Sequence, residues 1–563
     1  MAKKRTPKKK PQVLNNKAKP AAAKLKRPEF SESKIVKELY EHAKLAFKTK
    51  HDKIALQSLQ KALKLDPIHP ESLALQAVLI YKHAKTAKQK NHAIMLLQAA
   101  CYQNNDRKDW LQTLARWLAE RNEMLAALSA MERSVLLDSK NNTALMQIAG
   151  IYGSLGFEEQ SVYYTRQALK SNPVTTTLCT GNKKMTIAVL MTATSDLIKL
   201  NRKTFSTQIN EGHNNLPSVL DSAHITVKRV FVDNFMHDKG LLQELKSVDV
   251  VYNGITDPER GENALSQADN ICQSLDLPIV NTPAAVLQSS REGNYQRFRD
   301  NETVILPKSV KLEGISGCCR NVVRDAIAAN DMMLPVILRV AGFQGGKFMH
   351  MIRDLDNHDF SEIDELTTTS PQTLYLIQYH DVSYRDERSG DTSLYPKYRA
   401  FMVDGKLYPV HLFTADSFNV HKKNADPVMG KYDWLIEKEK AYCEDPTTHL
   451  GEHLWREIEA ALASMGLEYN GIDFAPASTA EEQGKIVVFE INPAMRNWVA
   501  SLPKGDHVQL AWHRITHAAH EMLCKKAQIA PWEFALPEGT EETVADGVRV
   551  SPGSSITIRP KGF

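Results

Sequence analysis

Two hydrophobic periods divide this sequence, and the change between them near residue 180 is what most limits its fold. From about residue 33 to 178 apolar residues return every three or four positions among Ala, Leu, Lys, Gln and Glu, the period of amphipathic helices. From Met185 onward come short apolar runs rich in β-branched residues, over 185–191, 225–232, 248–252 and 277–280, with helical stretches between them. Such runs predict the strands of a small parallel α/β layer over 185–300. A chain of 563 residues exceeds one core and divides into roughly three or four folding units.

The helical block repeats itself. Ala62, Ala100, Ser134 and Ala168 sit at equivalent small positions, 38, 34 and 34 residues apart, with an insertion in the second unit. The first unit also carries Ala55, Leu59 and Pro67, and the last carries Ala149, Tyr152, Gly156 and Pro173. Small residues let paired helices approach closely, and proline ends a helix because it offers no amide donor. In period and position the block resembles the tetratricopeptide (TPR) repeat. That resemblance implies an all-α TPR solenoid whose concave face could hold a peptide or protein segment; the alternative is that the block braces the next domain or mediates dimerisation.

Residues 301–525 mix elements differently. Strands are expected at 304–308, 335–340 and 374–379, and a hairpin joins 398–403 to 406–413 through Asp404-Gly405, a strong two-residue turn signal. A helix over 450–465 precedes strands at 471–475 and 486–491. Each of these last two carries a carboxylate, Asp473 and Glu490, 17 residues apart across a turn-rich stretch, so antiparallel pairing brings them together. Asn492, two residues on, shares a strand face with Glu490. Oxygen donors without His or thiolate suit Mg²⁺, which keeps waters and bridges phosphates. Without the metal, the same residues are an ordinary polar cluster at strand ends.

Asp473 followed by Glu490-x-Asn492-Pro493 resembles the signature of ATP-grasp enzymes such as D-alanine-D-alanine ligase, glutathione synthetase and the ribosomal-protein glutamate ligase. The resemblance covers roughly 185–525 and implies an α/β pre-ATP-grasp domain over 185–300 followed by an α+β ATP-grasp fold. By that resemblance Asp473, Glu490 and Asn492 hold Mg²⁺, and Lys308 and Arg339 meet the phosphates of ATP. Gly345 and Gly346 belong to a loop that closes over those phosphates. Gln378 and Tyr379 border the adenine, Asp381 takes the ribose, and Arg399 and Arg496 neutralise charge during catalysis. Relatives commonly carry lysine where this chain has Arg339, an acidic residue near Gln378 and His380, and an arginine in the region of His411, Asn419 and His421. The implied reaction is ATP-dependent carboxylate-amine ligation through an acylphosphate, on a small-molecule, peptide or protein substrate. A small-molecule kinase on the same fold, or a TPR scaffold with a non-catalytic ATP-binding module, are the alternatives.

Charge and cysteine usage bound the rest. Residues 1–30 hold eleven Lys or Arg against one acid, so the net charge of +5 leaves about −5 for the remainder. Residues 1–32 read as a basic disordered tail that could touch RNA or an acidic partner through counterion release. With no aromatic residue before Phe30 to stack on bases it reads first as a plain solvated tail, and nucleic-acid contact is not expected elsewhere in the chain. Seven scattered cysteines without a C-x-x-C pair argue against a disulfide framework or structural zinc, and the adjacent Cys318 and Cys319 read as ordinary thiols. No apolar run approaches the roughly 18 residues of a spanning helix, nor does a signal-like stretch follow the basic start, so a cytoplasmic protein is expected. Residues 526–563 read as a Pro-, Gly- and Glu-rich C-terminal extension.

Overall fold

The computed structural model describes residues 34–170, 173–194, 197–210, 216, 220–233, 240–275, 277–341, 348–493, 505–536 and 557–558. Packing divides the chain into two compact units, one ending at Leu137 and the other beginning at Asp138. The basic tail and most of the C-terminal extension lie outside the described residues.

The first unit is a run of helical hairpins: α1 (Lys34–Lys48) with α2 (Asp52–Leu65), α3 (Pro70–His83) with α4 (Ala87–Gln103), and α5 (Lys108–Glu120) with α6 (Met124–Leu137). Ala62, Ala100 and Ser134 lie on the second helix of each hairpin and are fully buried, as the repeat register predicts. Close-packed interiors leave no room for a larger side chain there. The insertion in the second repeat lengthens a helix: α4 has 17 residues where α2 and α6 have 14. It opens on a capping box between Thr86 and Gln89, which satisfies two amides at the start of the helix.

The second unit opens with a fourth hairpin, α7 (Asn142–Leu155) and α8 (Glu158–Leu169), turned by the left-handed Gly156. Its small position, Ala168, is also buried. The strands that follow are β1 (Val174–Thr177), β2 (Met185–Met191), β3 (Ile198–Leu200), β4 (Thr207–Ile209), β5 (Ile225–Phe231), β6 (Val250–Asn253) and β7 (Ile279–Val280). Although the sequence groups this hairpin with the repeats, α7 packs on β3. The Gln147 amide donates to the Phe205 carbonyl at 2.8 Å, and a Cβ on Gly150 would lie 3.0 Å from that of Leu200. The absence of a side chain at Gly150 is what lets the strand lie against the helix.

One sheet runs β1-β5-β2-β6-β7, parallel except for β1. Every residue of β2 is buried, the pattern of a central parallel strand. The helical period of the sequence extends over residues 174–177. They instead form the antiparallel edge strand, in keeping with the β-branched Val174-Thr175-Thr176-Thr177.

Two further sheets build the remainder. After β8 (Val304–Ile305) come β9 (Ser309–Ile315), β10 (Val336–Val340), β11 (Met349–Ile352) and β12 (Gln372–Gln378), and the last four form an antiparallel sheet ordered β11-β10-β12-β9. Leu338, Val340, Leu374 and Leu376 pack there with Cys319, Val323 and Ile363 from two helices. Next come β13 (Tyr395–Val403), β14 (Lys406–Ala415), β15 (Tyr469–Pro476) and β16 (Ile486–Asn492), in a sheet ordered β14-β13-β15-β16-β8. Asp404 and Gly405 both have positive φ, 48° and 81°, as the tight turn between β13 and β14 requires. A 21-residue helix, His507–Ala527, packs on β13 and β14. No helix among the described residues is long and apolar enough to cross a membrane, and all seven cysteines are free thiols. Burial pushes the Cys319 thiol up to about 11.

Candidate functional site

Strand register assembles the site. Asp473 on β15 is the direct partner of Glu490 on β16, as their spacing predicts. On its other side Asp473 is paired with Arg399 on β13, and Arg399 is paired with His411 on β14. His411, Arg399, Asp473 and Glu490 thus form one transverse row over four neighbouring strands. Directly opposed residues share a face of the sheet, so the four side chains stand side by side. Gly471 lies opposite Asn492, which follows Glu490 on the same face and has no side chain across from it.

Two bulges make this row. Pairing shifts by one residue between Arg399 and Ala400, leaving Val410 as the extra residue on β14. It shifts again between Asp473 and Phe474, leaving Phe489 extra on β16. Without them Arg399 would oppose Val410, and Asp473 would oppose Phe489. A bulge re-aims the side chains beyond it, and here both bring polar groups into line.

The electrostatics of the row centre on Asp473, which is 1% exposed. Arg399 donates from Nε to Oδ1 at 2.6 Å and from Nη2 to Oδ2 at 2.7 Å, and Lys397 Nζ lies 3.4 Å from Oδ2. Burial alone would raise the pKa of Asp473, but the charges of Arg399 and Lys397 outweigh it and hold the carboxyl well below its usual range. Burial likewise opposes the charge on Arg399, and Asp473 overcomes it. Lys397 was not anticipated, although its place two residues before Arg399 puts it on the same strand face. His411 is fully buried, and burial, reinforced by the positive charge of Arg399, keeps its imidazole neutral.

Arg339 brings the four-stranded sheet to the same place. Paired with Tyr375 on β12, it is pushed down by burial and by the charge of Arg291, while Glu490 acts in the opposite sense. Arg291 lies over the Tyr375 ring at 5.6 Å, and the Tyr375 hydroxyl donates to Glu259. Half-buried His421 is lowered by burial and by Lys397, with Glu490 and Asp473 opposing.

The other expected residues are placed as follows. Lys308 donates from Nζ to the Asn330 carbonyl, and its own carbonyl accepts from the Gln378 amide at 2.8 Å. The Gln378 side chain both donates to and accepts from the Met333 backbone. The Tyr379 hydroxyl donates to Asp381 at 2.9 Å, and the Asp381 carbonyl accepts from Ser478 N at 2.9 Å. With His380 2.6 Å from Glu482, the segment after β12 is stitched to the β15–β16 connection. Gly345 and Gly346, within 342–347, and Arg496, within 494–504, lie outside the described residues.

Among the described residues no three His, Cys, Asp or Glu side chains gather as a metal-binding group. An ion at this row would rest on two carboxylates, the Asn492 amide and exogenous oxygens. That donor set fits Mg²⁺, which binds through one or two carboxylates and keeps waters or phosphates.

Asn281 holds the strands that carry the row. Fully buried and left-handed (φ 59°), it donates to the carbonyls of Tyr469 at 2.6 Å and Pro493 at 2.8 Å and accepts from Tyr469 N at 3.0 Å. It ties the end of β7 to the start of β15 and the end of β16. Asn281→Ala is expected to lower unfolding free energy by about 2–4 kcal/mol, since buried partners are stranded. A urea titration checks this, and a loss under about 1 kcal/mol would contradict the clasp.

No protein-family model matches the chain, and no curated protein matches it in sequence. Among solved structures, D-alanine-D-alanine ligase from Coxiella burnetii is similar over 61% of this chain and 95% of its own, with 11% identity and a TM-score of 0.34. MamA is similar over 24% of this chain and 77% of its own, with 23% identity and a TM-score of 0.22. YrrB, described as a TPR protein with an unusual peptide-binding site, is similar over 24% and 69%, with 17% identity and a TM-score of 0.22. Overlaps this loose leave the functional case to the geometry of the row.

Proposed function

We propose that the chain is an ATP- and Mg²⁺-dependent carboxylate-amine ligase of the ATP-grasp type, acting through an acylphosphate on a peptide, protein or amino-acid-like substrate. The observation that carries this reading is the transverse row, in which Arg399, Asp473 and Glu490 are direct neighbours on three strands with Lys397 at 3.4 Å from Asp473. Asp473, Glu490 and Asn492 would hold Mg²⁺, which when bound neutralises phosphate charge. Asp473 is suited to that role because its carboxyl is held ionised.

The residues around the row supply positive charge. Arg399, Lys397, Arg339 and Arg291 favour an anionic reactant, and planar guanidinium groups bind phosphate or carboxylate through two hydrogen bonds. In this reading Lys308, Arg339 and the amides of Gly345 and Gly346 receive the phosphates, Gln378, Tyr379 and Asp381 border the nucleoside, and Arg496 faces the reacting oxygens. A substrate carboxylate oxygen attacks the γ-phosphorus and ADP leaves. An amine then attacks the acyl carbon, phosphate departs and the amine loses a proton. Such chemistry rests on positioning and charge neutralisation, which a row fixed by strand register provides.

Incubation with ATP, Mg²⁺ and pooled amino acids and peptides tests the reading. New amide masses with stoichiometric phosphate support it, whereas phosphorylated products without amides overturn it. The helical repeats of the first unit would recruit a protein-like substrate. A chain beginning at Asp138 should therefore keep ATP turnover while losing about 10²-fold or more in kcat/KM for a protein substrate, the range that an added binding site supplies. Unchanged use of that substrate would reject recruitment. The cut belongs at 137, because α7 packs on β3 in the second unit.

A further inference from the structure

The proposed chemistry leaves His411 without a task. Its ring is 1% exposed, and neither nitrogen has a hydrogen-bond partner among the described residues. It is held by stacking on Phe413, with ring centroids 3.9 Å apart and planes at 17°. A neutral imidazole has one N–H and one acceptor nitrogen, and leaving both unmet inside a sheet is unfavourable. An apolar ring would fill the same space without that penalty.

The position of His411 suggests what it is for. It is the direct partner of Arg399, and Arg399 spends Nε and Nη2 on the two oxygens of Asp473. Asp473 is the carboxylate assigned above to Mg²⁺, so this inference rests on that assignment. A dication and a guanidinium on one carboxylate repel each other, and the effect is strong where water is excluded. Arg399 must yield part of its hold, and the next acceptor along the row, on the side away from Glu490, is the imidazole.

We propose that His411 is a positioning residue for metal binding: as Asp473 takes up Mg²⁺, Arg399 passes one N–H from Asp473 to the acceptor nitrogen of His411. The row then has two arrangements. In one, Arg399 closes the metal site. In the other, the guanidinium stays beside the phosphates, anchored by the ring, while Asp473 is free to ligate.

Mn²⁺ binding to the full chain in the presence of ADP, followed by electron paramagnetic resonance, tests this. His411→Phe keeps the stacking ring and removes the acceptor. It should weaken Mn²⁺ binding about tenfold, the lower end for residues that orient metal ligands, and leave metal-free ADP binding unchanged. His411→Gln, which keeps an acceptor, should restore most of the affinity. In an Arg399→Lys background His411→Phe should add no further loss. Unchanged Mn²⁺ affinity in His411→Phe, or equal losses in the Phe and Gln variants, would overturn the proposal. Glu490→Gln separates the two levels. If it abolishes Mn²⁺ binding while His411→Phe has no effect, the metal assignment stands and the relay falls; if it leaves Mn²⁺ binding intact, both fall. Should His411→Phe fail to fold, ¹⁵N resonances of the wild-type ring decide: the acceptor nitrogen should shift upfield on adding Mg²⁺ and ADP, and an unmoved resonance overturns the proposal.

Discussion

Glu490→Gln should lower Mg²⁺-dependent ATP turnover by about 10²- to 10³-fold, the range for removing one charge-stabilising group from a reacting phosphate or oxyanion. The substitution keeps the shape of the side chain and removes only its charge. Stability should change by less than about 1 kcal/mol, because Glu490 is half-buried and the substitution keeps its size and shape. Phosphate release measured beside a melting curve separates the two effects. A folded Glu490→Gln variant with full turnover would sink the metal assignment.

Arg399→Ala should do the reverse and strike the fold first. It leaves the carboxylate of Asp473 buried without its bidentate partner, and stranding one member of a buried ion pair costs about 3–5 kcal/mol. The sign of the pH dependence follows from Asp473. Its folded pKa lies below the ordinary value of 3.8, so in the wild type its contribution is complete above 3.8 and is lost as pH falls toward the depressed folded value. In Arg399→Ala burial acts on Asp473 with the strongest opposing charge and its two hydrogen bonds removed, Lys397 and His411 remaining, and the folded pKa rises. The stability gap between the two proteins should therefore be full well above the raised Asp473 pKa of the variant and narrow as pH falls through it toward the depressed wild-type value. Denaturant titrations at several pH values measure it, and a gap that does not change with pH would show that Arg399 stabilises by packing alone.

The contrast between these variants reflects how the row is built. His411 and Asp473 are 1% exposed whereas Glu490 is half-buried, so the first two bear most on the fold and Glu490 is the member most open to the proposed ligand. Arg399 belongs to both. Its guanidinium keeps a buried carboxylate ionised while lying beside the position proposed for the phosphates.

What was legible in the sequence was local. The Asp404-Gly405 turn fixed a hairpin, because two adjacent positive-φ positions are something few residue pairs supply. The helix period and the recurring small residues fixed the hairpins of the first unit. Asp473 and Glu490 could be paired because each sits on an apolar strand joined by a turn-rich stretch. Their alignment with Arg399 and His411 could not be counted out in the same way. Counting back from the Asp404-Gly405 turn sets Arg399 against Val410, and only the bulge moves it to His411. Bulges answer to packing and have no reliable signal in a single sequence. The fourth hairpin failed to declare its unit for a related reason. Its period matches its neighbours, and its contact with β3 depends on Gly150 meeting a strand some fifty residues on.

The proposed activation of a carboxyl group can be reached by one isotope measurement. Amino acids and peptides labelled with ¹⁸O in their carboxyl groups are incubated with the full chain, ATP and Mg²⁺, and the released phosphate is weighed. An acylphosphate route transfers one carboxyl oxygen to each phosphate, so phosphate carrying a single ¹⁸O is the expected result. Turnover that releases only unlabelled phosphate would contradict carboxylate activation.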